Sequence, residues 1–343
     1  HGDYATNVAM ACAKTLGKSP REIAEQFLSA LEGKIPHVAK IEVAGAGFIN
    51  FHLTRDFFSE KITGITANPD TWGNNILLKG KKVLVEYTDA NPFKEFHIGH
   101  LFTNSVGESI ARLFMANGAE VKRVNYQGDV GLHVAHALWG MKELGMGDDS
   151  FTARDLGRAY AHGATAYKTN ESAQAEIREI NKKVYDRSDE AINALYDKGR
   201  AVSLAYFETM YAIIDTKFDA YFFESETGLR GKELVEKNPD IFTESDGARI
   251  FNGEQYGLHT RVFLNKEGLP TYEAKELALA KLKEEKLGSY DLSVISTANE
   301  INEYFKVLKK AMSFVYPELA AKTEHIGHGM VRLSTGKMSS RTG

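Results

Sequence analysis

One stretch limits the fold more than any other. Lys82–Tyr87 (KVLVEY) is a buried-strand run, and after a short loop the apolar residues Ile98, Leu101, Phe102, Val106, Ile110, Leu113 and Phe114 recur at helical spacing on one face. Gly118 sits where a helix C-terminal cap belongs, and Glu120 to Tyr126 reads as the next strand. A helix between two strands carries the chain back to the same end of a sheet, so the two strands run parallel. Strand-like segments return at Tyr221–Phe223, His259–Leu264 and Leu292–Ser296, alternating with helices around Tyr272–Glu285 and Glu300–Val315. That alternation describes an α/β, doubly wound parallel sheet. Helical sequence dominates from about Val130 to Phe218, too long for one crossover, and predicts an inserted helical subdomain over about 145–220.

A smaller α+β domain is expected before this body. Asp3–Leu16 and Pro20–Leu31 read as helices, with Ser19-Pro20 placing proline at a helix start. Lys40–Leu53 is β-rich but split by Gly45 and Gly47, which predicts a bent strand or hairpin. Phe57–Ala67 looks like a short helix running into the turn Asn68-Pro69-Asp70, so the expected domains are 1–75 and 76–343. The net charge of −4 gives no global support to a nucleic-acid partner, whose usual footprint is a basic surface. A single cysteine, Cys12, excludes an internal disulfide and a zinc site built on several thiolates. No apolar run approaches the ~18 residues of a spanning helix, and His1-Gly2-Asp3-Tyr4 has neither a signal-peptide stretch nor an initiator methionine. A cytoplasmic protein with no membrane partner is expected, its natural N-terminus lying upstream.

The sharpest chemical signal is His97-Ile98-Gly99-His100, between the first strand and the helix after it. Free N–H groups and the positive end of the helix dipole meet there, which favours phosphate. Gly99 lets a nucleotide approach the backbone closely. His97 and His100 share a helix face and can donate hydrogen bonds to phosphate oxygens; helix capping is the plainer use of the same two side chains. A second signal is Gly336-Lys337-Met338-Ser339-Ser340-Arg341-Thr342-Gly343. Hydroxyls and cations between glycines suit a mobile clamp on a triphosphate, although a frayed terminus has a similar composition. Glu86, at the carboxyl end of the first strand, faces the crevice where ligands of such sheets bind.

Together these two elements resemble the signature motifs of class I aminoacyl-tRNA synthetases. Val85 to His100 (VEYTDANPFKEFHIGH), Asn125-Tyr126-Gln127-Gly128-Asp129-Val130-Gly131 and His328-Gly329-Met330-Val331-Arg332-Leu333 resemble the arginyl-tRNA synthetases in particular. The likeness runs over essentially the whole chain, including Gly2–Asn7 and Gly45–Leu53. It implies a Rossmann-type catalytic domain ending inside the second motif. It also implies an N-terminal domain, truncated at its start, that contacts the tRNA elbow, with the anticodon-reading bundle absent.

The resemblance further implies ATP and magnesium as cofactors, L-arginine and tRNA(Arg) as partners, and a monomeric enzyme. Arginine would attack the α-phosphate of ATP, and the arginyl group would then pass to the terminal ribose of tRNA. Glu86, Asn91, His100, Tyr272 and Glu276 match arginine-holding positions. Carboxylates suit that ligand, because a guanidinium presents five fixed donors. His97, Gly99, His100, Met330, Val331 and Lys337 match ATP-binding positions, and His97, His100, Lys94 and Lys337 would stabilise phosphate charge; no protein metal ligand is expected.

Four positions depart from the family pattern. Glu276 stands where Asp is more usual. Ile301, or Glu300 one residue earlier, falls where many relatives have a glutamine. Phe102 replaces a frequent Arg. Ser340 replaces a lysine, whose charge Lys94 would supply. Two other classes of function share some of these features, a nucleotidyltransferase and a non-catalytic fragment binding ATP or tRNA.

Overall fold

The computed structural model describes residues 2–147 and 150–331, and the chain divides into two units, 1–74 and 75–343. In the first unit β1 (Tyr4–Thr6), α1 (Val8–Leu16), α2 (Pro20–Leu31), β2 (Val38–Ala44), β3 (Phe48–Leu53) and α3 (Arg55–Ala67) follow in order. The strands form an antiparallel sheet, β1-β3-β2, closed over Ala9, Ile23, Ala24, Ile41 and Ile49. The continuous helix expected from Asp3 to Leu16 is corrected at its start. Tyr4–Thr6 pairs with β3, and the Asp3 carboxylate accepts the Leu53 N–H at 2.8 Å. Ladder bonds to a distant strand here outweigh the local helical pattern. Ser19 caps α2 through its hydroxyl, with Pro20 in the first turn.

The second unit opens with β4 (Lys82–Glu86), α4 (Ile98–Ala116) and β5 (Glu120–Gln127). Four helices come next, α5 (Leu132–Glu143), α6 (Ala153–Thr169), α7 (Glu171–Asp186) and α8 (Glu190–Ile213), packed around a core that includes Leu138, Leu156, Ile177 and Tyr196. The chain returns through β6 (Ala220–Phe223), α9 (Glu224–Glu236), β7 (Thr243–Ser245), β8 (Ala248–Phe251), β9 (Arg261–Leu264), α10 (Tyr272–Leu287), β10 (Leu292–Ala298), α11 (Asn302–Val315), α12 (Pro317–Lys322) and β11 (Thr323–His328).

Five strands make one parallel sheet in the order β11-β10-β4-β5-β6. This is the doubly wound order, with its reversal between β4 and β10, where such sheets open a ligand crevice beyond the strands' carboxyl ends. Both faces are covered, which is why KVLVEY reads as an almost unbroken apolar run. Val83, Val85 and Tyr87 pack with Ala111, Phe207 and Phe218 on one side, and Leu84 packs with Phe222 and Leu277 on the other. Side chains alternate along a strand, so Glu86 shares the face of Leu84, toward the layer that contains α10. The segment His259–Leu264, expected in this sheet, lies elsewhere: β9 belongs to a separate antiparallel sheet, β7-β8-β9. Asp246 (φ 49°) and Gly247 (φ 78°) turn the β7–β8 hairpin with the two positive φ angles such a turn requires. Among the described residues no helix is long and apolar enough to cross a membrane.

Candidate active site

The loop joining β4 to α4 contains three residues with left-handed backbones, Thr88 (φ 78°), Asp89 (φ 49°) and Phe93 (φ 66°). A β-branched residue there is strained, and such strain persists only where the surroundings over-determine it. Here they do. Asn104 donates to the Thr88 hydroxyl at 2.9 Å and itself accepts from Thr216 at 2.8 Å. The Tyr126 N–H donates to Asp89 Oδ1 at 2.9 Å, and the Gly128 N–H donates to Asn91 Oδ1 at 3.0 Å. The Phe93 N–H donates to the Ser203 hydroxyl of α8 at 2.9 Å, and the buried Phe93 ring lies against Tyr196. Gly128 has no room for a side chain, since a Cβ would meet Asn91 Oδ1 at 2.5 Å.

The loop ends at His97, the N-cap of α4. Its Nδ1 accepts the Gly99 N–H at 3.1 Å, while its own N–H donates to His100 Nδ1 at 3.2 Å. The rings stack 3.8 Å apart. Helix capping is therefore real, but it uses only the Nδ1 atoms. Each neutral ring keeps its proton on Nε2, one N–H donor apiece. Burial first, then the charge of Lys94, lowers the His97 pKa; burial, His97 and Lys94 lower that of His100 to about 3. At neutral pH both imidazoles are uncharged donors. Lys94 also lies 5.1 Å from the centre of the Tyr160 ring.

A cavity of about 580 Å³ opens beyond the carboxyl ends of β4, β5 and β10, at the reversal of strand order. Glu86, Asn91, Tyr272 and Glu276 all line it, as do Asp89, Glu224, Glu273 and Glu300. His97 and His100 are not among its walls. Tyr272 stands at the rim, 59% exposed, its ring 5.4 Å from the Lys275 ammonium. Asn91 contributes its amide N–H groups, because its oxygen is committed to Gly128. Ile301 and Glu300 both line the cavity from the turn before α11, so both candidates for the departing position border the same space.

Acidity dominates this space, and part of it is already compensated. Lys283 pairs with Glu86 at 2.5 Å, both side chains 2% exposed, and Lys275 pairs with Glu224 at 2.6 Å, both 5% exposed. Burial works against the charge of each lysine and is more than offset, by Glu86 and then Glu276 for Lys283 and by Glu224 and then Tyr185 for Lys275, so both lysine pKa values are raised. Asp89 and Glu276 are held well above the usual carboxylate range, by burial first and then by the negative charge of Glu86. A cavity lined by Glu86, Asp89, Glu224, Glu273, Glu276 and Glu300 against the single cation Arg261 suits a cationic guest.

Met330 and Val331 follow β11, Met330 half-buried and Val331 39% exposed. Phe102, the residue at the departing position in α4, packs edge-on against the His328 ring at 5.2 Å. Lys337 lies outside the described residues. The Asn125–Gly131 motif has a structural use. Asn125 donates to Tyr211 at 3.0 Å. The fully buried Asp129 carboxylate accepts from Arg200 and from the Ser225 N–H at 2.8 Å, and from the Ser225 hydroxyl at 2.7 Å. Sequence reasoning missed Asp89, Lys275 and Lys283; Asp89 stood inside a quoted motif, but the two lysines carried no signal.

Residues 63–343 match the family described as tRNA synthetases class I (R), catalytic domain, and residues 1–53 match the arginyl tRNA synthetase N terminal domain. The arginine–tRNA ligase of Clostridium acetobutylicum is 29% identical over 338 residues, covering 96% of this chain and 59% of that protein. That of Thermococcus sibiricus is 34% identical over 287 residues, 78% of this chain and 43% of that one. Among solved structures, the Thermus thermophilus arginyl-tRNA synthetase superposes with a TM-score of 0.71 at 25% identity, over 99% of this chain and 62% of that one. The chain thus spans about three fifths of the length of the Clostridium relative. With 281 of its 343 residues inside the catalytic-domain match, the chain belongs to the class I arginyl-tRNA synthetase family.

Proposed function

We propose that the chain is the part of an arginine–tRNA ligase that activates L-arginine with ATP and passes it to tRNA(Arg). One observation carries the proposal: an acidic cavity at the strand-order reversal, walled by Glu86, Asn91, Tyr272 and Glu276. Arginine enters it side chain first. Its guanidinium meets this acidic wall, Tyr272 closes the rim, and the Asn91 amide donates to the ligand.

ATP lies against the start of α4. There the helix dipole, the Gly99 backbone and the Nε2 protons of His97 and His100 face its phosphates, and Met330 and Val331 flank the base. The arginine carboxylate attacks the α-phosphorus in line, forming a C–O–P bond as the bond to pyrophosphate breaks. The protein's contribution is positioning and charge stabilisation, with no protein nucleophile. Because both histidines are neutral, positive charge on the departing pyrophosphate comes from Lys94 and Lys337. Among the described residues no three His, Cys, Asp or Glu side chains gather as a metal cage. Magnesium enters with the substrate, bound through the triphosphate, and no step is assigned to it. The 1–74 unit contacts the tRNA.

The test is arginine-dependent exchange of pyrophosphate into ATP by this chain, with and without tRNA(Arg). Exchange stimulated by arginine alone among the amino acids is expected. Stimulation by a different amino acid redirects the specificity. ATP binding without exchange leaves a nucleotide-binding fragment.

A further inference from the structure

Gly128 stands in the turn after β5, and both of its backbone groups end on side chains. The residue is buried, so these groups depend on protein partners. Its N–H donates to Asn91 Oδ1 at 3.0 Å, and its carbonyl accepts from His133 Nε2 at 2.8 Å. The turn is tight, with the Asp129 N–H donating to the Gln127 carbonyl at 3.1 Å. A glycine leaves the peptides on its two sides free to rotate, so each takes its direction from its partner. Asn91 holds one and His133 the other.

His133 lies in the first turn of α5, two residues past the N-cap Gly131, and reaches back to the turn. A carbonyl can only accept, so the imidazole proton sits on Nε2. Burial first, then the charge of Lys94, lowers the His133 pKa to about 3, and the ring is a neutral donor at neutral pH. His133 is not among the walls of the acidic cavity, whereas Asn91 is. A carboxamide has an oxygen on one side and two N–H donors on the other. With the Asn91 oxygen turned to the Gly128 N–H, the donors are what remains for the cavity. A turn that rotated to present a carbonyl instead would turn the amide over, adding one more acceptor to a wall already rich in carboxylates.

We propose that His133 is a positioning residue of this site: through the Gly128 carbonyl it fixes the turn whose N–H holds the Asn91 oxygen, and so keeps the Asn91 donors facing the guest. The proposal rests on the arginine reading above. His133 acts at one remove, through two hydrogen bonds and a glycine, and touches neither arginine nor ATP.

The experiment is calorimetric titration of the chain with L-arginine and, separately, with ATP, on wild type, Asn91→Ala, His133→Leu, His133→Gln, His133→Asn and the double variant Asn91→Ala/His133→Leu. A thermal melt checks that each is folded. Gln can bring an N–H to the place of Nε2, and the shorter Asn cannot. His133→Leu and His133→Asn should each weaken arginine binding roughly tenfold, with ATP affinity held. His133→Gln should bind arginine within about threefold of wild type. On the Asn91→Ala background the leucine substitution should cost almost nothing further, because its effect passes through Asn91. Full arginine affinity in His133→Leu overturns the proposal, as does a loss that adds in full to that of Asn91→Ala. A loss that Gln does not restore, or one shared equally by ATP, marks a general structural role and overturns it too. Should His133→Leu not fold, the Gln and Asn variants decide, and equal arginine affinities in the two overturn the proposal. Asn91→Ala binding arginine like wild type instead overturns the placement of Asn91 in the arginine reading, and the proposal with it.

Discussion

In the proposed reading, single side chains in the cavity serve binding at the expense of stability. Glu276 is pushed up by burial and by Glu86. A carboxyl group whose folded pKa is raised favours the fold below its unfolded value and disfavours it as pH climbs toward the folded one. Glu276→Gln should therefore raise the Tm at pH 8 relative to wild type, more than at pH 5, while arginine binding is lost; an unchanged or lower Tm at pH 8 would contradict this. Lys94 has a different assignment. Its charge depresses both His97 and His100, which puts it beside the two neutral donors of the proposed phosphate site. Lys94→Ala should slow pyrophosphate exchange roughly tenfold or more with little change in arginine affinity; an unchanged rate removes Lys94 from the chemistry.

At the scale of elements, the loop between β4 and α4 is the piece on which both substrates depend in the proposed reading. It borrows its rigidity from α8 and β5. Ser203, on a helix of the segment between β5 and β6, accepts the N–H of Phe93 and in turn donates to the Gly199 carbonyl at 3.0 Å. Ser203→Ala leaves a buried N–H unsatisfied and should cost about 1–3 kcal/mol in urea unfolding. Because the same loop places Asp89 and Asn91, arginine affinity should weaken in parallel. Normal affinity in a destabilised variant would show that the loop holds its shape without α8. The loop's ends were legible, since strand and helix periodicities bracket it and the two histidines mark the helix start. Its interior was not: nothing local predicts positive φ at Thr88, Asp89 and Phe93, which depends on partners 16 to 110 residues away.

For the molecule as a whole, burial leaves several histidines hard to protonate: His100 and His133 have pKa values near 3 and His325 near 4, each through burial first. A folded pKa below the unfolded one, about 6.5, means that protons bind the unfolded chain more tightly. The associated stability is complete above about pH 6.5 and lost as pH falls toward 3 to 4. Urea midpoints should accordingly decline from pH 7.5 to pH 4.5, and a flat profile would show that these histidines find water or partners when charged. The sequence by itself determined the parallel α/β class, the strand–helix junction with its histidines, and the family, because periodicity and motif spacing are properties of neighbours along the chain. It left β9 in the wrong sheet and β1 as a helix, since pairing partners lie far away in sequence. Only the tertiary structure decided the charges of the cavity. In α10 (YEAKELALAKLKEEKL) the charged residues look like a solvated helix, yet Lys275 and Lys283 are 4% and 2% exposed and hold acids supplied by α9 and β4. Whether a charge is solvated or paired is set by what packs against it in three dimensions, and the order of residues along one helix does not contain that information.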